Sequence, residues 1–107
     1  MPNNYKNEKV NLGTNTETVL YTCPGATTAT IRSILVCDTS GSGDAIDITI
    51  TDEDASAFSL FKSKAISAND TRELLSEPLV VQENEIIKVT ATTASRLHVV
   101  ASLLEVS

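Results

Sequence analysis

The residues of this 107-residue chain that could do chemistry are one histidine, two cysteines and a run of acids. His98 is the only imidazole, so a nucleophilic triad would need a Ser or Cys activated by it, with an orienting carboxylate behind. No G-x-S-x-G turn is present to hold a nucleophile. His98 stands inside RLHVVASLLEVS among aliphatic neighbours, a setting for an interface or rim residue rather than a base. Cys23 and Cys37 are too few for a disulfide framework and are expected to be free. Beside a single His they supply no zinc set of the usual spacing. Asp52-Glu53-Asp54, with Asp44 and Asp47 upstream, could gather a hard cation through carboxylate oxygens. The spacing is not that of an EF-hand loop, and three acids at a hairpin tip are expected to be solvated. SGSGD (40–44) resembles a glycine-rich phosphate loop only superficially, because no Gly-Lys-Ser/Thr follows and the chain runs on into a strand. Asn69-Asp70-Thr71 is formally a glycosylation sequon, without a secretory signal to give it meaning. The expectation is no catalytic residue, no metal ligand and no cofactor.

Composition narrows the class further. Aromatic residues are only 4% of the chain and Trp is absent, so a core must be built from Ile, Leu, Val and Ala. The net charge of −6, with basic residues scattered, argues against binding a phosphate backbone or an anionic membrane. No apolar run approaches the ~20 residues that cross a bilayer as a helix. The polar start MPNNYKNEKVNL has no apolar stretch of a signal peptide, which points to synthesis in a cytosol-like compartment.

The elements read as strands. β-branched residues dominate the middle and end of the chain, and turn signals recur about every ten residues, the spacing of an all-β sandwich or barrel. Expected strands are Thr18–Cys23, Thr27–Asp38, Ala45–Asp52, a stretch from Ala57 to Ser67 whose slipping pattern predicts a bulge, short runs at 71–75 and 78–81, Ile86–Thr92, and the closing stretch. Pro24-Gly25 fits the centre of a type II turn. Pro78 limits its segment to an edge or a new short strand. About eight short antiparallel strands in a jelly-roll-like β-sandwich over residues 18–107, preceded by an N-terminal arm over 1–17, is the expected organisation.

Two strands carry apolar residues on both faces. In the closing stretch, Leu97, Val99, Ala101 and Leu103 alternate with His98, Val100 and Leu104; in Thr27–Asp38, Leu35 and Cys37 alternate with Ile34 and Val36. One small sandwich covers one face of each strand. A neighbouring subunit is expected to cover the other, through Ile34, Val36, His98, Val100 and Leu104, in a closed homo-oligomer, a trimer by preference. The arm, anchored by Tyr5, Val10 and Leu12, is expected to lie across a neighbour or the shell as an added strand.

The run YTCPG, the strand TTATIRSILVC, the Gly/Ser/Asp turn, the alternating AIDITITD, LLSEPLVV, ENEIIKVTA and the terminal VVASLLEVS together resemble small virion structural proteins of tailed bacteriophages, particularly those infecting marine cyanobacteria. The likeness spans residues 18–107. It implies a non-enzymatic structural part of a virion, assembled in the cytoplasm of the host bacterium. The expected role is capsid decoration, or cement, against the major capsid protein. A neck or tail component is the alternative, and a glycan-binding module a third.

Overall fold

The computed structural model describes residues 3–107, all of whose regular structure is β. Nine strands follow in order: β1 (Asn3–Asn11), β2 (Thr18–Thr22), β3 (Thr28–Asp38), β4 (Asp44–Thr51), β5 (Ala57–Ile66), β6 (Thr71–Glu73), β7 (Leu79–Val81), β8 (Ile86–Ala91) and β9 (Leu97–Val106). They form two sheets, every pairing antiparallel. One runs β1-β9-β3 and is continued beyond β3 by β6 and β7; the other runs β2-β8-β4-β5. Successive strands change sheet at β1/β2, β2/β3 and β3/β4, and the last strand returns between the first and third. This is the jelly-roll order expected from the sequence, with β6 and β7 acting as two halves of one broken strand.

The core lies between the sheets. Ala29, Ile31, Ile34, Val36, Leu97, Val99, Ala101 and Leu103 come from the first sheet, and Leu20, Tyr21, Ile46, Ile48, Ile87, Val89 and Ala91 from the second. Alternation with period two puts these sets on the inner faces, and burying each Ile, Leu or Val contributes about 1.5–3 kcal/mol.

Bulges decide which residues enter that core. In β3 the register against β9 slips between Ile31 and Ser33, leaving Arg32 without an opposite residue. The slip reverses the parity of the strand. Ala29 and Ile31 point inward before it, and Ile34 and Val36 after it. β5 is bulged twice against β4, as its sequence pattern predicts. Near the first of these irregularities Ser63 has a φ of 51° and donates its N–H to Asp47 at 2.6 Å. These bulges, with Lys62 and Lys64, guard the long free edge of β5 against strand addition. The turn after β2 departs from expectation: positive φ falls on Ala26 (57°), not Gly25, and the Ala26 N–H donates to Glu83 at 2.7 Å.

Asn3–Asn11 is an integral strand, which corrects the expectation of a separate arm over 1–17; Met1 and Pro2 of that expected arm lie outside the described residues. β1 pairs with β9 through nine successive residues. Leu12 is buried in the core, its N–H donating to the Leu97 carbonyl at 3.0 Å. Lys6 lies 5.9 Å from the centre of the Tyr21 ring and 3.7 Å from Glu105. Tyr21 in turn donates to Glu105 at 2.5 Å. The strand is thus held by a ladder, an apolar anchor and a charged cluster that reaches the second sheet.

Candidate assembly interface

The ladder register brings the outward-facing residues of the first sheet into rungs. Tyr5, Leu104, Thr30 and Val80 form one rung across β1, β9, β3 and β7. Lys9, Val100, Leu35 and Glu73 form a second, across β1, β9, β3 and β6. Asn11, His98, Cys37 and Thr71 form a third. Tyr5 is 73% exposed, Val80 55% and Leu35 39%, while Val100 and Leu104 are half-buried between their neighbours. Side chains of this size do not normally gather on one solvated sheet face, where alternation should leave polar residues.

The expected site residues therefore divide. His98, Val100 and Leu104 lie on this outer face together with Tyr5. Ile34 and Val36 do not: both are fully buried in the chain's own core, and their outward places are taken by Leu35 and Cys37. The physical reason is the Arg32 bulge, which exchanges the two faces of β3. Leu12 is likewise core rather than a contact to a neighbour, and Val10 is half-buried against that core. Val80 carries no signal in the sequence, because the three residues of β7 are too few to show a period. Leu35 is apolar in sequence, but unbroken alternation from Ala29 and Ile31 puts it on their inner face, and only the bulge turns it outward.

His98 stands in its rung between Asn11 and Cys37, the partners of neither a triad nor a relay. Cys23 is fully buried, and burial pushes its thiol pKa up; Cys37 is half-exposed. Among the described residues no group of three His, Cys, Asp or Glu side chains is placed to hold a metal ion. At the acidic tip, Asp52 is occupied by the protein itself, accepting the N–H of Asp54 at 2.9 Å and of Ser56 at 3.0 Å. A cleft of about 510 Å³ lies at that end of the sandwich, between this tip and Gln82–Glu85. Glu83 and Glu85 on its wall are also spent on backbone N–H groups, of Ala26 and Gln82.

No protein-family model matches the chain, and no curated protein matches it. Solved structures do. A chain from Bacillus endospore appendages, a family of disulfide-linked pili, superposes with a TM-score of 0.61 at 9% identity, over 99% of this chain and 87% of that one. A chain of infectious bursal disease virus, Gx strain, gives 0.56 at 13% identity, over 98% of this chain and 30% of the other. A pentameric capsid protein from metagenomic phage sequences gives 0.47 at 16% identity, over 94% and 59%. At these identities the likeness is one of fold: the two-sheet sandwich derived from the register above is the architecture shared with the pilus and virus chains.

Proposed function

We propose that this chain is a non-enzymatic structural subunit of a virus particle that assembles with copies of itself, and within the particle a decoration, or cement, protein on the shell of a tailed-phage head. The observation that carries the reading is the outer face of the β1-β9-β3 sheet. There Tyr5, Leu104 and Val80 in one rung and Val100 and Leu35 in another leave apolar side chains exposed or half-exposed on either side of the polar rung Asn7-Ser102-Ser33. The function-bearing feature of the molecule is thus a surface rather than a pocket. The acidic groups are engaged in fixing loops, and His98 has no catalytic company. The resemblance in the strand and turn scheme supports reading that surface as part of a phage particle, with the major capsid protein as the other partner. A neck or tail position uses the same surface and differs only in the neighbour.

The test is proteomics and cryo-electron microscopy of particles purified from the phage or provirus whose genome encodes this chain. The expected result is the chain in fixed stoichiometry to the major capsid protein, with density on the outer shell. Density at the neck or tail selects the alternative position. Absence from intact, infectious particles overturns the virion reading.

A further inference from the structure

We propose that the outer face of the β1-β9-β3 sheet docks onto the same face of a second copy of this chain, about a two-fold axis parallel to the strands and lying between β9 and β3. The inference rests on the reading of the chain as a self-assembling subunit and specifies the contact. It is carried by the symmetry of the rungs. Turning the sheet over about that axis exchanges β1 with the β6/β7 edge, and β9 with β3. The rung Lys9-Val100-Leu35-Glu73 then meets its own reverse. Val100 packs on Leu35 of the second copy, and Lys9 faces Glu73 of the second copy. The rung Tyr5-Leu104-Thr30-Val80 likewise places Tyr5 over Val80 of the second copy. Each apolar residue meets an apolar or Thr partner, and the charges at the two ends of the second rung meet with opposite sign, although the Glu73 carboxylate also accepts the Ser33 hydroxyl and the N–H groups of Ile34 and Leu75 in its own chain.

This is an isologous contact, in which residue i touches j and j touches i. A trimer would need two different complementary patches on each copy, and the rungs supply one self-matching patch. Its anatomy is mixed: the apolar pairs on β9 and β3 stand in two rungs, the polar rung Asn7-Ser102-Ser33 lies between them so that Ser33 faces Ser102 of the second copy, and polar residues form the rim. Two sheets facing each other with near-parallel strands reproduce the aligned packing of sandwiches. Size is also sufficient. Four strands about 4.8 Å apart and about ten residues long cover roughly 600 Å², or about 1,200 Å² for the pair, the lower end of stable interfaces. Arg32 at the bulge is exposed, and its long stem can lie along an apolar surface with the guanidinium in water.

The experiment uses three full-length chains followed by sedimentation and light scattering: wild type, Leu35→Glu and Val100→Lys. Both substitutions are on the outer face, so melting curves should show each variant folded. The wild type is expected at twice the monomer mass, and each variant alone at the monomer mass. Mixed one to one, the variants should regain the dimer, because one Glu–Lys pair and one wild-type Val100–Leu35 pair then form across the axis. A wild-type oligomer of another order, or variants that keep associating alone, or a mixture that fails to pair, overturns the two-fold contact while leaving self-assembly standing. A wild type that is monomeric at every attainable concentration overturns both the contact and self-assembly through this chain alone.

Discussion

Asp38 accepts the backbone N–H of Asn69 at 3.0 Å, joining two loops that are 31 positions apart in sequence. The same carboxylate accepts the Ser40 hydroxyl at 2.7 Å and the Gly43 N–H at 2.9 Å, while the Asp38 N–H donates to Asp70 at 2.9 Å. One nearly buried acid at the end of β3 therefore fixes both the β3–β4 loop and the β5–β6 turn, which lie at the same end of the sandwich.

Those bonds give the first prediction. The Ser40 hydroxyl, followed by the N–H groups of Gly43, Ser40 and Asn69, holds the Asp38 carboxyl well below the usual carboxylate range despite burial. The folded pKa lies below the unfolded value of about 3.9, so between the two the unfolded chain binds more protons and stability rises with pH. The contribution is complete above that unfolded value and disappears as pH falls through the folded one. Asp38→Asn presents an amide NH₂ to donors that need acceptors. It should lower the melting temperature at neutral pH by several degrees and flatten the acid limb of the stability curve. An acid limb as steep as wild type would show that other carboxylates dominate.

Gly43 supplies the second. Its φ is 76°, and a Cβ built there would sit 3.1 Å from the Ile66 carbonyl oxygen. Gly43→Ala should cost roughly 1–3 kcal/mol by denaturant unfolding, combining left-handed strain with displacement of the turn. Gly25→Ala is the control: nothing lies within 4 Å of its added Cβ. Its stability should stay within about 0.5 kcal/mol of wild type. Equal effects at the two positions would remove the close-approach argument.

Adjacent residues on β3 test the parity switch. Ile34→Ala empties space in a fully buried site and should destabilise by about 2–5 kcal/mol. Leu35→Ala removes an exposed side chain and should change the unfolding free energy of the dissociated chain by about 0.5 kcal/mol or less. A reversed order would place the bulge elsewhere.

That pair also marks how far the sequence could be read. The positions of β2 through β9 follow from β-branched alternation and the turn residues between them, and the bulge in β5 was visible because Phe58, Leu60 and Phe61 break the period. The bulge in β3 was hidden because apolar residues fill both sides of Ser33–Cys37: a slip of one residue among Ile34, Leu35 and Val36 leaves the pattern looking the same. The outer surface was therefore half legible, with His98, Val100 and Leu104 on it and Ile34 and Val36 exchanged for Leu35 and Cys37. β1 was read as an arm since Asn3–Asn11 alternates weakly. Its place is fixed by the ladder with β9, by buried Leu12 and by the Lys6–Tyr21–Glu105 cluster, none of which a local window contains.

That cluster makes a spectroscopic prediction. Burial, then the hydrogen bond to Glu105, pushes the Tyr21 phenol far above its ordinary value. Ultraviolet titration should show one phenol that ionises only as the protein unfolds in alkali, and Tyr21→Phe should abolish that late component. The same variant loses one charge-assisted hydrogen bond that helps hold β1, and should be less stable by about 1.5–3 kcal/mol. A Tyr21→Phe chain that keeps the late phenol would assign it elsewhere.

Cys37 reports on the docked face from within. It shares a rung with His98, and under the two-fold the Cys37 of one copy lies over His98 of the second, closed to solvent. A thiol reagent should therefore modify Cys37 more slowly as protein concentration rises, because the dimer population shields it. The Val100→Lys chain, unable to dimerise alone, should react at one rate at all concentrations. Cys23 provides the internal reference: it is buried between the sheets and its thiol pKa is raised, both of which suppress the reactive thiolate. It should react only on global unfolding, in wild type and variant alike. A wild-type Cys37 whose rate is indifferent to concentration across the range where the dimer forms would place the contact on another surface.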